Sequence, residues 1–141
     1  MAEAKPKTGS PAANPLFGYI AAIAGWFVPG LGHLILRRWK KALAYFACIA
    51  VLAIVGLLMR GNVFTFDSPD IFDRLGLIAD LGNGIFYFLA HAINPAGPDV
   101  AHAAGDYGTR LIATAGVLNF LCILEAFQIG SGQNIERTGV E

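Results

Sequence analysis

Long apolar stretches separated by short polar ones dominate this chain. Leu16 to Leu36 (LFGYIAAIAGWFVPGLGHLIL) carries no formal charge while His33 is neutral. A helix of about 21 residues reaches roughly 30 Å, enough for the hydrocarbon core of a bilayer. The stretch is too long for a signal-peptide core and lacks a clean small-x-small cleavage site before the basic cluster that follows, so it reads as retained. Ala42 to Met59 and Thr109 to Ile129 are further apolar runs, the last with Arg110 near one end. Met1 to Pro15, rich in Ala, Pro, Lys and Ser, reads as a disordered tail, and residues 131–141 form a short polar one. The expected organisation is one helical membrane domain over 16–130 between two tails.

Leu75 to Ile93 has a different pattern. Asp73, Asp80, Tyr87 and Asn94 lie seven apart with Asn83 and His91 beside them, a polar stripe at helical period. Leu77, Leu81, Ile85 and Phe88 fall on another face. Such a helix either spans with its stripe turned inward or lies flat in the interface, and Gly82 and Gly84 weaken it in both cases. Asn62 to Arg74, with Asp67, Pro69, Asp70 and Asp73, reads as an external loop, and Asn94 to Gly108 (NPAGPDVAHAAGDYG) as a turn-rich one.

The basic cluster Arg37, Arg38, Lys40 and Lys41 surrounds Trp39. Short loops dense in Lys and Arg stay cytoplasmic, and Trp favours the headgroup level. Four crossings, with both termini outside, is the favoured topology. If Leu75 to Ile93 lies flat, three crossings leave the C-terminus cytoplasmic. If the first segment is a re-entrant hairpin turning at Pro29-Gly30, the N-terminus joins the cytoplasmic side, which suits Lys5 and Lys7. The expected fold is an all-α integral membrane bundle of three to four transmembrane helices, the first kinked at Pro29-Gly30. Close packing is expected between Gly18, Ala22 and Gly25 on the first helix and Ala47, Ala50 and Ala53 on the second.

Composition agrees with a membrane location. The chain has 141 residues, 55% hydrophobic and 14% charged, with a mean hydropathy of +0.56, against about 25% charged residues in soluble domains. Ten basic and ten acidic side chains cancel, leaving no broad basic face for nucleic acid. Cys48 and Cys122 sit inside apolar runs and read as buried small hydrophobes without a disulfide or metal.

Candidate chemistry is sparse. Pro29 cannot donate to the Gly25 carbonyl, so the first helix must kink or break, and the freed carbonyl needs a partner from a neighbouring helix, a water or His33. Pro29, Gly30, Gly32 and His33 are read first as a structural turn, with a broken-helix ligand site as the functional alternative. Asp80, Tyr87 and His91 are a solvated face, or a cation or proton relay if their helix spans. Asn119 is expected to hydrogen-bond a neighbouring helix. Glu125, about four residues from the end of its span, either reaches the interface, pairs with a basic residue, or serves a proton or ion. No G-x-S-x-G, H-E-x-x-H, P-loop or C-x-x-C occurs. No catalytic residue, metal site or cofactor is therefore assigned.

Val28 to Trp39 (VPGLGHLILRRW) resembles the turn of the TM-two domain family of small, mostly uncharacterised bacterial membrane proteins. In these an apolar helix runs into a Pro/Gly-Gly-x-Gly turn, then an aromatic pair, then Gly-Arg and a second apolar helix. Pro29, Gly30, Leu31, Gly32, Leu36 and Arg38 match, with Ala42 near the small residue that opens the second helix. Leu34 and Ile35 replace the aromatics and Arg37 replaces a glycine. Ile123 to Phe127 (ILEAF) is similar to the Leu-Ile-Asp-x-Phe ending of that family's last helix. The resemblance implies a multi-pass protein of the bacterial cytoplasmic membrane and no particular activity. The reading favoured by sequence is a non-enzymatic scaffold or accessory subunit, whose partners are the lipid bilayer and other membrane subunits or a second copy. The alternative is a small channel or transporter using Asp80, His91 or Glu125.

Overall fold

A computed structural model describes residues 14–64, 71–93 and 103–132. The remainder of both tails, the loop with Asp67, Pro69 and Asp70, and residues 94–102 lie outside the described residues. Six helices follow in order: α1 (Pro15–Phe27), α2 (Leu31–Ile35), α3 (Trp39–Leu58), α4 (Ile71–Leu81), α5 (Ile85–Ile93) and α6 (Ala103–Gly130). Among the described residues there is no strand. The protein is an all-helical membrane bundle. α3 and α6 are long and apolar enough to cross a bilayer, and α4 with α5 qualifies only as a pair bent by 116°.

α3 and α6 run antiparallel and pack along their lengths. Lys41 and Tyr45, in the first turns of α3, reach Glu125 in the last turns of α6. At the other pole Gly61 lies against Gly108, and the Asn62 amide donates to Thr109 Oγ1 at 3.0 Å. Ile49, Ala53, Ala115 and Cys122 form the seam between them.

The remaining helices make two hairpins that enter from opposite poles. α1 starts beside the end of α6, where a methyl on Gly18 would lie 3.0 Å from the Phe127 carbonyl. Asn14 caps it through Leu16 N–H at 3.1 Å, and Pro15 suits its first turn. The helix breaks at Val28, because Pro29 has no N–H to continue it. Gly30 then takes φ +82°, and any side chain there would strike the Ala42 carbonyl at 2.4 Å. α2 turns back along α1, with Gly32 against the Ala21 carbonyl and Ala126. The first hairpin thus begins and ends at the basic pole, as the re-entrant alternative required.

From the opposite pole, both arms of α4–α5 rest on the segment after α3. The Phe64 amide donates to Asp80 of α4 at 2.7 Å, and Val63 shares a cluster with Ala90 of α5 and Ile112. The turn between them holds Gly84 at φ +55°, with its Cα face so close to α1 that a methyl would lie 1.8 Å from the Trp26 carbonyl. The tips of the two hairpins meet there.

Several sequence expectations change. The end of α6 and the start of α3 share a pole, so the four-crossing arrangement, which separates them, does not hold. Leu75 to Ile93 is neither a straight span nor one flat helix, since Gly82–Gly84 breaks it and the polar stripe with it. Ile71–Arg74 and Ala103–Gly108, read as loop, are helical. Gly18 and Gly25 pack on α6 and α2 rather than on the alanine arc of α3, whose Ala47 faces outward. Cys48 is exposed, while Cys122 is buried, and both are free.

Arg37 links α2 to α3 with φ 59°. This is the conformation glycine adopts freely and other residues occupy at a cost of roughly 1 kcal/mol. Arg37→Gly is therefore expected to stabilise the purified protein by about 0.5–1 kcal/mol, and Arg37→Val to destabilise it. Thermal unfolding in detergent checks both, and equal melting temperatures for the two variants would contradict the strained turn.

Candidate functional site

Each hairpin turn frees backbone carbonyls inside the bundle, where an unpartnered group costs several kcal/mol. Pro29 leaves the Gly25 carbonyl without its helical donor, and α4 ends at Leu81, just before Gly82. Asn119, in the middle of α6 and 0% exposed, serves both. Its carboxamide nitrogen donates to Gly25 O at 3.2 Å and to Gly82 O at 2.7 Å, one for each of its two hydrogens. Trp26 adds a bond from Nε1 to the Leu81 carbonyl at 3.0 Å, and Asn83 Nδ2 donates to Ile112 O at 2.7 Å. The donor to Gly25 is thus supplied by a neighbouring helix and not by His33.

The donors of this cluster are used, but some acceptors are not. Asp80 Oδ1, Asn83 Oδ1 and Asn119 Oδ1 are buried without a hydrogen-bond partner among the described residues. Asp80 is 0% exposed, accepts from Phe64 N–H through Oδ2, and has no ion pair with a described residue. Asp80 and Asn83 occupy one turn, since Asn83 N–H donates to the Asp80 carbonyl at 2.9 Å. A patch of oxygen acceptors therefore lies at the α4–α5 tip.

A second polar cluster sits at the basic pole. Glu125 accepts from Lys41 Nζ through Oε1 and from the Tyr45 hydroxyl through Oε2. His33, 1% exposed, places Nε2 3.3 Å from Oε2 without the alignment of a hydrogen bond, and its ring stands edge-on to Tyr45 at 4.8 Å. The basic residue that Glu125 pairs with is Lys41, while Arg37 and Arg38 form no ion pair with a described residue. The pair is partly exposed and contributes at most about 1 kcal/mol. It chiefly fixes how α2, α3 and α6 meet.

The polar stripe does not form one site. Tyr87 and His91 stack on each other on α5, with ring centroids 6.4 Å apart, and His91 is exposed. Asp80 lies on α4 beyond the break. Arg37, Arg38 and Lys40 are exposed, as a basic rim requires. Among the described residues no group of three His, Cys, Asp or Glu side chains is placed to hold a metal ion. The pairing of Asn119 with two hairpins was not readable, because it depends on which residues meet across 37 and 94 positions of sequence.

Residues 20–138 match DUF6677, described as a family of unknown function. The chain belongs to this family. No curated protein and no solved structure matches it. The part of the chain that DUF6677 covers takes in both hairpin turns, the basic cluster, Asp80, Asn119 and Glu125.

Replacing Asn119 with leucine keeps most of the volume and removes both donors. With hydrogen bonds in membranes worth about 0.6 kcal/mol each, and buried unpaired carbonyls costing more, Asn119→Leu is expected to lose about 1–3 kcal/mol. Glu125→Gln, whose single carboxamide oxygen can still accept from Lys41 while its nitrogen donates to the Tyr45 hydroxyl, should lose less than about 1 kcal/mol. Unfolding in mixed micelles ranks the two, and an Asn119→Leu protein as stable as the parent would remove the bridge from the account.

Proposed function

We propose that this chain is a non-enzymatic accessory or scaffold subunit of a membrane complex, multi-pass and resident in a bacterial cytoplasmic membrane. The observation that carries the proposal is that the interior donors are spent on the fold. A channel or carrier of the broken-helix kind aims its freed backbone and its amide hydrogens at a solute. Here Asn119 gives both hydrogens to the hairpin carbonyls, and Gly84 seats one tip directly on the other. Glu125 is likewise held by Lys41 and Tyr45. What the bundle offers outward is apolar surface, including Leu43, Val51, Ile54 and Leu58 on α3 and Val117, Leu121 and Leu124 on α6, together with the basic pole. The likeness of the Pro29–Gly32 turn to the TM-two domain family supports a compact membrane module and adds no activity.

One observation favours a second reading, a small cation or proton carrier centred on Asp80. Its free Oδ1 lies at the same hairpin tip as two other unpartnered amide oxygens, and ionisable groups within membranes mark transport paths more often than chance. His91 and Glu125 have no place in it.

Reconstitution separates the readings. Proteoliposomes containing the chain alone are expected to pass protons, Na⁺ and K⁺ no faster than protein-free vesicles, while native mass spectrometry of material from source membranes shows a stoichiometric protein partner. Flux that Asp80→Asn abolishes, from a chain that isolates alone, would replace the scaffold reading by the carrier.

A further inference from the structure

The turn of the first hairpin also shapes the outer surface of the bundle. Between α1–α2 and the first two turns of α3 lies a groove of about 460 Å³, lined by Val28, Pro29, Leu31, Leu34, Leu43 and Phe46. The groove exists because Pro29 and Gly30 hold the tip tight against Ala42, leaving the larger side chains on either side to form its walls. Its length along α3, from residue 39 to 46, is roughly 10 Å, which fits part of one acyl chain.

One end of the groove is polar. Trp39 and Lys40 stand at its rim and also line an adjoining hollow of about 450 Å³ formed by Arg37, Arg38, Trp39, Lys40 and Lys41. Lys41 is engaged by Glu125, whereas Arg37, Arg38 and Lys40 are exposed and form no ion pair with a described residue. The α3 N-terminus in the same place has no side-chain cap, so its dipole adds to their positive field. Cations without an ion-pair partner among the described residues therefore adjoin an apolar groove at the depth where Trp39 marks the interface.

We propose that groove and rim form one binding site for an anionic phospholipid of the surrounding bilayer. An acyl chain lies against Pro29, Leu34 and Phe46, and the headgroup phosphate sits among Arg37, Arg38 and Lys40. A lipid satisfies both halves with one molecule: the apolar wall takes a chain already in the membrane, and the rim offers the charge and the donors that phosphate accepts. A zwitterionic lipid carries its own cation beside the phosphate and so gains less from the rim, and a free anion has no chain for the groove.

The test uses the full chain in mild detergent, with bound lipid counted by native mass spectrometry. Dioleoyl phosphatidylglycerol is expected to be retained about tenfold over dioleoyl phosphatidylcholine, on the scale of cationic side chains at anionic membranes. Arg38→Gln with Lys40→Gln should bring the two lipids level. Leu34→Trp, which fills the groove, should lower retention of phosphatidylglycerol. Leu43→Trp repeats that arm at an exposed position if Leu34→Trp lowers the melting temperature without lipid. Excess glycerol phosphate should leave the bound lipid in place. Equal retention of the two lipids by the parent chain, a preference that survives the double charge variant, groove variants without effect, or displacement by glycerol phosphate would each overturn the proposal.

Discussion

The structure depends on giving a donor to the backbone carbonyls that two helix breaks leave unpaired within an apolar bundle. Water is scarce there, so the donor must come from the protein. Asn119 meets the requirement for both breaks at once, at 3.2 Å to Gly25 and 2.7 Å to Gly82. One carboxamide in the middle of α6 therefore fixes the depth at which two hairpins from opposite poles stop. Trp26 repeats the link between the tips through Leu81. Gly84 follows from the same constraint, since at φ +55° a Cβ there would lie 1.8 Å from the Trp26 carbonyl and no side chain fits.

That arrangement divides the polar residues by task. Asn119, Asn83 and Trp26 donate to backbone, and Lys41, Tyr45 and Glu125 tie α3 to α6 at one pole. Arg37, Arg38 and Lys40 remain outside these bonds, on the rim of an apolar groove that the Pro29-Gly30 turn itself creates. The turn that costs the interior a hydrogen bond shapes the surface where those charges and the bilayer meet.

Much of the architecture was legible because it follows from local chemistry. Length and hydropathy located α3 and the body of α6 to within a few residues, and Pro29 announced both the break and the orphaned Gly25 carbonyl. The small spacing of Gly18 and Gly25 marked a close-packed face, though not its partner. Where reading failed, the deciding interactions were non-local. The heptad of Asp73, Asp80 and Tyr87 is a valid helical pattern, yet Gly82 to Gly84 interrupts it because the tip must fit beneath Trp26. Nothing in the spacing of Asn119 relates it to two separate turns. The charge of Glu125 suggested a partner, but the choice of Lys41 depends on α6 ending beside the start of α3. Arg37 is a further case, since its left-handed backbone at φ 59° is one that glycine adopts freely and nothing in the basic cluster itself announces it.

The most direct measurement is the distance between the two tips. Phe27 and Ile85 are both exposed and flank the junction, so nitroxides at Phe27→Cys and Ile85→Cys, with Cys48 and Cys122 replaced by alanine, report it by pulsed electron resonance in nanodiscs. Two hairpins meeting at the depth of Asn119 give a single short distance, under about 20 Å, that lengthens or broadens in Asn119→Leu. A distance of about 30 Å, the full hydrocarbon thickness, would place the two turns at opposite membrane faces and contradict the bridge.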